Sequence, residues 1–182
     1  MGWPSADVRH EARRAAQSNE GQPMKTSEEG LKVIKYFESC RLSAYPDPAT
    51  GGDPWTVGYG DTGPDVVPGL IITKEEAEQR LAKRLAEDFE PGVERMLRTE
   101  PTQCQFDAMV SLAFNIGLGS LGSSTLVRMF NIGQPGVDAQ FLRWDKANGH
   151  SMWGLRRRRA AERVLYLGGT ADEAIRIGDK TL

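Results

Sequence analysis

Apolar residues recur at three- and four-residue intervals along most of this chain, and one stretch crowded with glycine and proline interrupts them. Thr26-x-x-Glu29 has the form of a capping box, and Leu31, Ile34, Tyr36 and Phe37 follow it along a helix expected to run to about Ser39. Between residues 42 and 73, Val57 and Tyr59 lie among turn formers, which predicts short strands in a small β-hairpin region. Thr73-x-x-Glu76 is a second capping box. Behind it Ala77, Leu81, Leu85 and Phe89 mark a long helix that Pro91 should end or kink near Glu90, with Val93 to Arg98 resuming for a turn or two. From Pro101 another helix carries Phe106, Met109, Val110, Ala113, Phe114 and Ile116, a face broad enough for the central core helix. Gly117, Gly119 and Gly122 break it, and Ser123 or Ser124 caps the next helix through Phe130. After the turn Gly133-Gln134-Pro135-Gly136 comes a helix with Phe141, Leu142 and Trp144.

Composition adds bounds to this pattern. A length of 182 residues is about one domain, and 39% hydrophobic with 26% charged residues is ordinary for a soluble globular protein. Residues 1–23 are polar and rich in Arg, Glu, Ala and Gln, an appendage with a short helix entered through Pro4 and ended near Gly21. No apolar run is long enough to span a membrane, and the N-terminus lacks the apolar core of a secretion signal. Cys40 and Cys104 are read as free and mostly buried, since two isolated cysteines make no disulfide framework. With only His10 and His150, a histidine metal cluster or a Ser-His-Asp triad is unpersuasive, so chemistry is expected to rest on carboxylates with no metal or cofactor. The net charge of −2 divides unevenly. Residues 1–101 hold 13 basic and 18 acidic side chains and 102–182 hold 10 and 7, giving −5 and +3, and the positive part could favour an anionic polymer.

Within the first helix and the turn-rich stretch lie two carboxyls on different elements. Glu38 stands at the end of the apolar helix, where the macrodipole disfavours ionisation and Tyr36 and Phe37 promise an apolar surround. Asp47 sits among Pro46, Pro48, Thr50, Gly51 and Gly52, a polar turn in which a carboxylate ionises easily. One protonated and one ionised carboxyl across a cleft is what hydrolysis of a glycosidic bond requires. Gly58 and Gly60 permit close approach of backbone to a sugar ring, or simply a twist or bulge.

The stretch Tyr36-Phe37-Glu38, with Asp47 nine residues on and then Trp55-Thr56-Val57-Gly58-Tyr59-Gly60, closely resembles the phage-type lysozymes of glycoside hydrolase family 24, the endolysins. The start Met24-Lys25-Thr26-Ser27-Glu28, the segment Gln103 to Gly117 and Ser124-Thr125-Leu126 also resemble that family, so the similarity covers about residues 24–168. It implies Glu38 as general acid, Asp47 as base or electrostatic stabiliser, and Thr56 as the hydroxyl that positions the attacking water. It further implies a mainly α, two-lobed α+β lysozyme fold: a small lobe over about 24–73, a helical lobe over about 74–182, and a long helix joining them. Gly60, Phe114 and Ser124 become candidates for glycan contact, although for Phe114 a core role competes. The family's G-L-x-x-R-R-x-x-E segment corresponds to Gly154–Glu162, so Arg158 or Arg159 is expected to orient Glu38, with the register open. Ser39 stands where the family more often has Gly, and Asp61 where it often has His.

The activity so implied is inverting hydrolysis of the β-1,4 bond between N-acetylmuramic acid and N-acetylglucosamine, with carboxyls about 6.5–9.5 Å apart to admit a water. The expected protein is a monomer acting on peptidoglycan glycan strands. It would accumulate in the host cytoplasm without spanning the membrane and leave through a phage holin pore to act in the periplasm or wall; a secretion-system effector fits the same residues. Two readings compete: a lytic transglycosylase, needing Glu38 but not Asp47, and a non-catalytic module binding the wall or, through Arg156–Arg159, nucleic acid. The trio Glu38, Asp47 and Thr56 speaks against the module, and no nucleic-acid partner is expected.

Overall fold

The computed structural model describes residues 23–47 and 50–181, so the helix expected within residues 1–23 lies outside the described residues. Helix α1 spans Glu28–Glu38, and strands β1 (Arg41–Pro46) and β2 (Trp55–Gly58) form an antiparallel hairpin. Helix α2 (Lys74–Arg84) runs through a π-helical turn (Leu85–Phe89) into α3 (Glu90–Met96). Next come α4 (Gln103–Ile116), α5 (Leu118–Gly122), α6 (Thr125–Asn131) and α7 (Val137–Phe141). A two-residue ladder of β3 (Lys146–Ala147) and β4 (His150–Ser151) precedes α8 (Trp153–Tyr166) and α9 (Ala171–Lys180). The architecture is mainly helical with small antiparallel sheets, the α+β class that the family resemblance implies.

Helix α4 is the centre of the core. Every residue from Phe106 to Ala113 is buried, including Asp107 and Ser111. Around it pack α1, α3 and α8, and α9 covers α8 and α1. Helix α1 therefore sits against the helical body, although its place in the chain puts it in the expected small lobe of 24–73. The reason is its face: Gly30, Val33 and Ile34 are its buried residues, and a Cβ at Gly30 would come 2.9 Å from Asp107 Cβ, so only glycine permits this approach of α1 to α4.

Three local expectations are corrected. The cap of α1 is Ser27 and not Thr26. Asp107 accepts from Ser27 N at 2.9 Å and Ser27 Oγ at 2.5 Å, fixing that residue at the helix start, while Glu29 reaches Ala171 N and does not fold back as a capping-box partner would. Of the two outcomes expected at Pro91, an end or a kink, the end does not occur. The widened turn before it makes i→i−5 bonds, Glu90 N–H reaching Leu85 O, so the chain passes a residue without an N–H and remains helical. Cys40 is exposed and Cys104 half-buried, not mostly buried, and both are free: Cys40 falls in the connector between α1 and β1. The Thr73 capping box is present with both of its hydrogen bonds.

The hairpin is bent. Arg41 pairs with Gly58 but Tyr45 with Thr56, so β1 carries two more residues than β2 across the same span, and the extra length bulges outward. There Ala44 N donates to Leu70 O and Ile72 N to Leu42 O, so residues 70–72 act as a third partner for the bulge.

Candidate active site

Glu38 is the last residue of α1, and Ser39 leaves the helix at φ 58°, ψ 164°, a backbone region nearly restricted to glycine. Glycine's frequency at this place in the resembling family thus has a conformational cause. Arg158 of α8 reaches Glu38, with Nη1 donating to Oε1 at 2.5 Å. The side chains are 4% and 19% exposed. The same guanidinium donates through Nε to Glu162 Oε1 at 3.0 Å and through Nη2 to the Ser111 carbonyl at 3.1 Å. Fully buried Glu162 also accepts from Ser111 Oγ at 2.8 Å and from Arg159 Nη2 at 3.0 Å. Its Oε2 lies 2.9 Å from Arg159 Nε, a charge contact without the N–H direction of a hydrogen bond. Burial pushes the Arg159 guanidinium down to about 10, with Glu162 opposing and Arg158 adding, so it stays charged at neutral pH.

The open register of the arginine segment therefore has a geometric answer. Arg158 is the residue against Glu38, and Arg159 turns inward to Glu162 and Asn115, whose Oδ1 accepts from its Nη2 at 3.0 Å. The expected apolar surround of Glu38 is corrected as well. Tyr36 is 43% exposed and its hydroxyl donates to Asp179 at 2.7 Å, while Phe37 stands edge-on to Tyr36 at 5.0 Å. Residues one and two positions before a helical side chain point to other faces, so they cannot wall it, and the neighbour Glu38 finds is a cation.

Asp47 and Thr56 both belong to the hairpin. Thr56 lies opposite Tyr45 on β2, and Asp47 follows Pro46, the last residue of β1, which pairs with Trp55. Asp47 is half-buried and folds the following turn on itself: its Oδ1 accepts from Thr50 N at 3.2 Å, its carbonyl from Gly51 N at 2.8 Å, and its N–H donates to Gly52 O at 3.0 Å.

Gly60 and Phe114 are joined by a residue the sequence reading passed over. Arg84 Nη1 donates to Gly60 O at 2.7 Å, while the guanidinium carbon lies 5.1 Å from the Phe114 ring and 5.5 Å from Phe89. Gly60 itself has φ 87° and open space where a Cβ would be, so turn geometry demands the glycine here and no close approach does. One turn earlier, Arg80 pairs with Asp61 at 2.7 Å and also with Asp65. Arg80 and Arg84 are four apart beside the Ala77–Leu81–Leu85 stripe, and that spacing was the available signal. Ser124 stands elsewhere: 8% exposed, it caps α6 by accepting from Val127 N at 3.1 Å and lines a separate cavity of about 500 Å³. Among the described residues no group of three or more His, Cys, Asp or Glu is placed to hold a metal ion, and no helix is long and apolar enough to cross a membrane.

Comparison with known proteins gives a consistent result. A family model described as phage lysozyme matches residues 35–162. The endolysin of Bacillus phage B103 is 42% identical over 154 residues, covering 84% of this chain, which spans 58% of that protein's length. The endolysin from Escherichia coli O157:H7 phage FAHEc1 superposes with a TM-score of 0.71 at 35% identity, over 81% of this chain and 96% of that one. The muramidase domain of SpmX from Asticaccaulis excentricus gives 0.72 at 35% identity, over 79% and 97%.

Proposed function

Because this chain belongs to the phage lysozyme family, we propose that it hydrolyses the β-1,4 bond between N-acetylmuramic acid and N-acetylglucosamine in peptidoglycan, with Glu38 as general acid, Asp47 as base and Thr56 as the hydroxyl that holds the attacking water. The observation that carries this reading is the tie between Glu38 and Arg158. A general acid must present its proton in a fixed direction. Arg158 donates to Oε1, so that oxygen takes the N–H and the transferable proton belongs on Oε2, leaving the protein for the glycosidic oxygen. Arg158 is a positioning residue: its other donors, to Glu162 and the Ser111 carbonyl, keep the guanidinium from following Glu38 as the carboxyl changes charge.

On the hairpin, Asp47 takes a proton from a water that Thr56 Oγ1 holds. The water adds to the anomeric carbon as the bond to the leaving oxygen breaks, and Glu38 supplies that oxygen's proton. The sugar inverts, one water is consumed, and a free reducing end results. Similarity to the muramidase domain of SpmX supports the choice of bond. Release through a holin pore and action on the wall from the periplasmic side belong to the same proposal.

The test is turnover of purified peptidoglycan by wild type, Glu38→Gln and Asp47→Asn, with reducing ends, product anomer and anhydro ends read together. Loss of about 10²-fold or more in each variant, with inverted reducing-end product, is expected. Anhydro ends formed by an active Asp47→Asn variant would replace hydrolysis with transglycosylation, and undiminished turnover by Glu38→Gln would remove Glu38 from the mechanism.

A further inference from the structure

A second site is built where the end of α3 meets the end of α5 and the length of α6 around the cavity of about 500 Å³. Arg95, Arg98 and Arg128 line it, and no Asp or Glu does. Among the described residues none of the three has an ion-pair partner, whereas Arg80, Arg157, Arg158, Arg159 and Arg163 each have a carboxylate. Three guanidiniums collected around one cavity without a countercharge repel one another, and a bound anion removes that repulsion.

The walls are fixed before any ligand arrives. Asn131 Oδ1 accepts from Arg98 N at 2.8 Å and Asn131 Nδ2 donates to Met96 O at 2.8 Å, which fastens the peptide carrying Arg98 to the end of α6. Gly122 packs so close to Met96 that a Cβ there would lie 3.3 Å from Met96 Cε. Ser124, 8% exposed in the lining, uses its oxygen as the acceptor of the α6 cap, so its O–H remains to donate. The lining thus offers guanidinium forks and a hydroxyl donor over an apolar floor of Met96 and Val127.

We infer that this cavity binds phosphate groups carried by an anionic cell-wall polymer and so holds the enzyme on the wall beside its substrate. The forked, permanently charged guanidinium matches a phosphate's tetrahedral oxygens better than any single point charge does. A cavity of this size has room for a short stretch of a chain. The site is local: the whole chain carries −2, so attraction to a polyanion must come from a patch and not from net charge. Its wall location rests on the activity proposed above, but the phosphate chemistry does not.

The experiment is calorimetric titration of the full chain with a soluble poly(glycerol phosphate) oligomer, with inorganic phosphate, and with an acidic wall stem peptide of equal charge. Saturable, salt-sensitive binding of the oligomer is expected, weakened about tenfold by each of Arg95→Ala, Arg98→Ala and Arg128→Ala and lost in the triple variant. Glu38→Gln and the exposed control Arg143→Ala should bind as wild type does. Far-UV dichroism and the thermal midpoint establish that each variant is folded. Equal binding by the triple variant, equal weakening by Arg143→Ala, preference for the peptide, or binding of inorganic phosphate alone would each overturn the inference. A protein that binds the oligomer yet cleaves no glycan would instead refute the lysozyme reading and leave this site standing.

Discussion

Glu162→Gln isolates the electrostatics of the buried cluster beside Glu38. The change keeps the side chain's shape and removes one charge from a set of two guanidiniums and two carboxyls. Glu162 and Arg159 are fully buried and Arg158 is 4% exposed, so solvent cannot replace the lost carboxylate. In the variant, Arg159 keeps Asn115 as its neutral acceptor, and Arg158 keeps Glu38 and the Ser111 carbonyl. Breaking a buried pair from one side costs about 3–5 kcal/mol, and the amide oxygen retained by Gln places the cost near the lower end, about 3 kcal/mol. For a chain of this length that lowers the thermal midpoint by about 6–12 °C. The assay is urea unfolding at neutral pH, where a lower midpoint with an unchanged slope reports stability alone. Glu162→Leu combined with Arg159→Met should recover most of the loss, because it removes both buried charges together. A loss under about 0.5 kcal/mol in the single variant, or no recovery in the double, would refute the claim that Glu162 compensates these arginines.

Ser39→Gly relieves a φ of 58° and should stabilise by about 1 kcal/mol after glycine's entropic cost, measured by the same unfolding; a destabilised variant would mean the residue is not strained. Arg84→Ala removes the donor to Gly60 O and the stack on Phe89 and Phe114, an expected loss of about 2 kcal/mol that Arg84→Lys restores by less than half; equal stability of the alanine variant would dismiss the tie. Burial pushes the Tyr166 phenol up to about 12, with Asp138 and Cys104 adding. The unfolded chain loses that proton near its ordinary value of about 10 while the fold retains it, so stability falls as pH climbs through this window. Phenolate absorbance should show a late-titrating tyrosine that Tyr166→Phe removes, and the variant should be less alkali-sensitive; absence of that late phase would refute it.

What the sequence made legible was what repeats locally. The Ala77–Leu81–Leu85 stripe, the Thr73 box and the breadth of α4 each follow from residues within a turn or two, and so does the hairpin between Arg41 and Gly58. What escaped it depends on distant partners. Ser27 displaces Thr26 as a cap because Asp107, far along the chain, accepts from it. Arg159 could not be told from Arg158 because only the rotation of α8 against α4 decides which of the two meets Glu38. Helix α9 was missed although Thr170-x-x-Glu173 stands at its start and the Thr170 side chain accepts from Glu173 N at 3.3 Å; the apolar positions behind it are few, and its inward face is Ala171, Ala174 and Gly178. Its apolar and polar positions are nonetheless well segregated around the helix, so the periodic signal was present and was passed over.

The nine-residue spacing between Glu38 and Asp47 therefore has less to do with their relative placement than the motif suggests. The covalent link between α1 and β1 is Ser39 and Cys40, both exposed, and β1 beyond it bulges, so the chain path alone leaves the two carboxyls free to diverge. Glu38 is instead tied to the helical body, and the chain that follows β2 of the hairpin is tied to another helix. Glu38 is held through Arg158 to α8 and, behind it, to Ser111 of α4. The turn after the hairpin is held through Gly60 and Asp61 to Arg84 and Arg80 of α2. Helices α2 and α4 meet through the π-helical turn, where Phe89 packs on Phe114 at 5.0 Å between ring centres, the same rings over which Arg84 lies. If Glu38 and Asp47 act as proposed, the junction of Phe89, Phe114 and Arg84 helps to set how the hairpin sits against the helical body, so Phe89→Ala should lower turnover of purified peptidoglycan although neither carboxyl is changed, and undiminished turnover would refute this dependence.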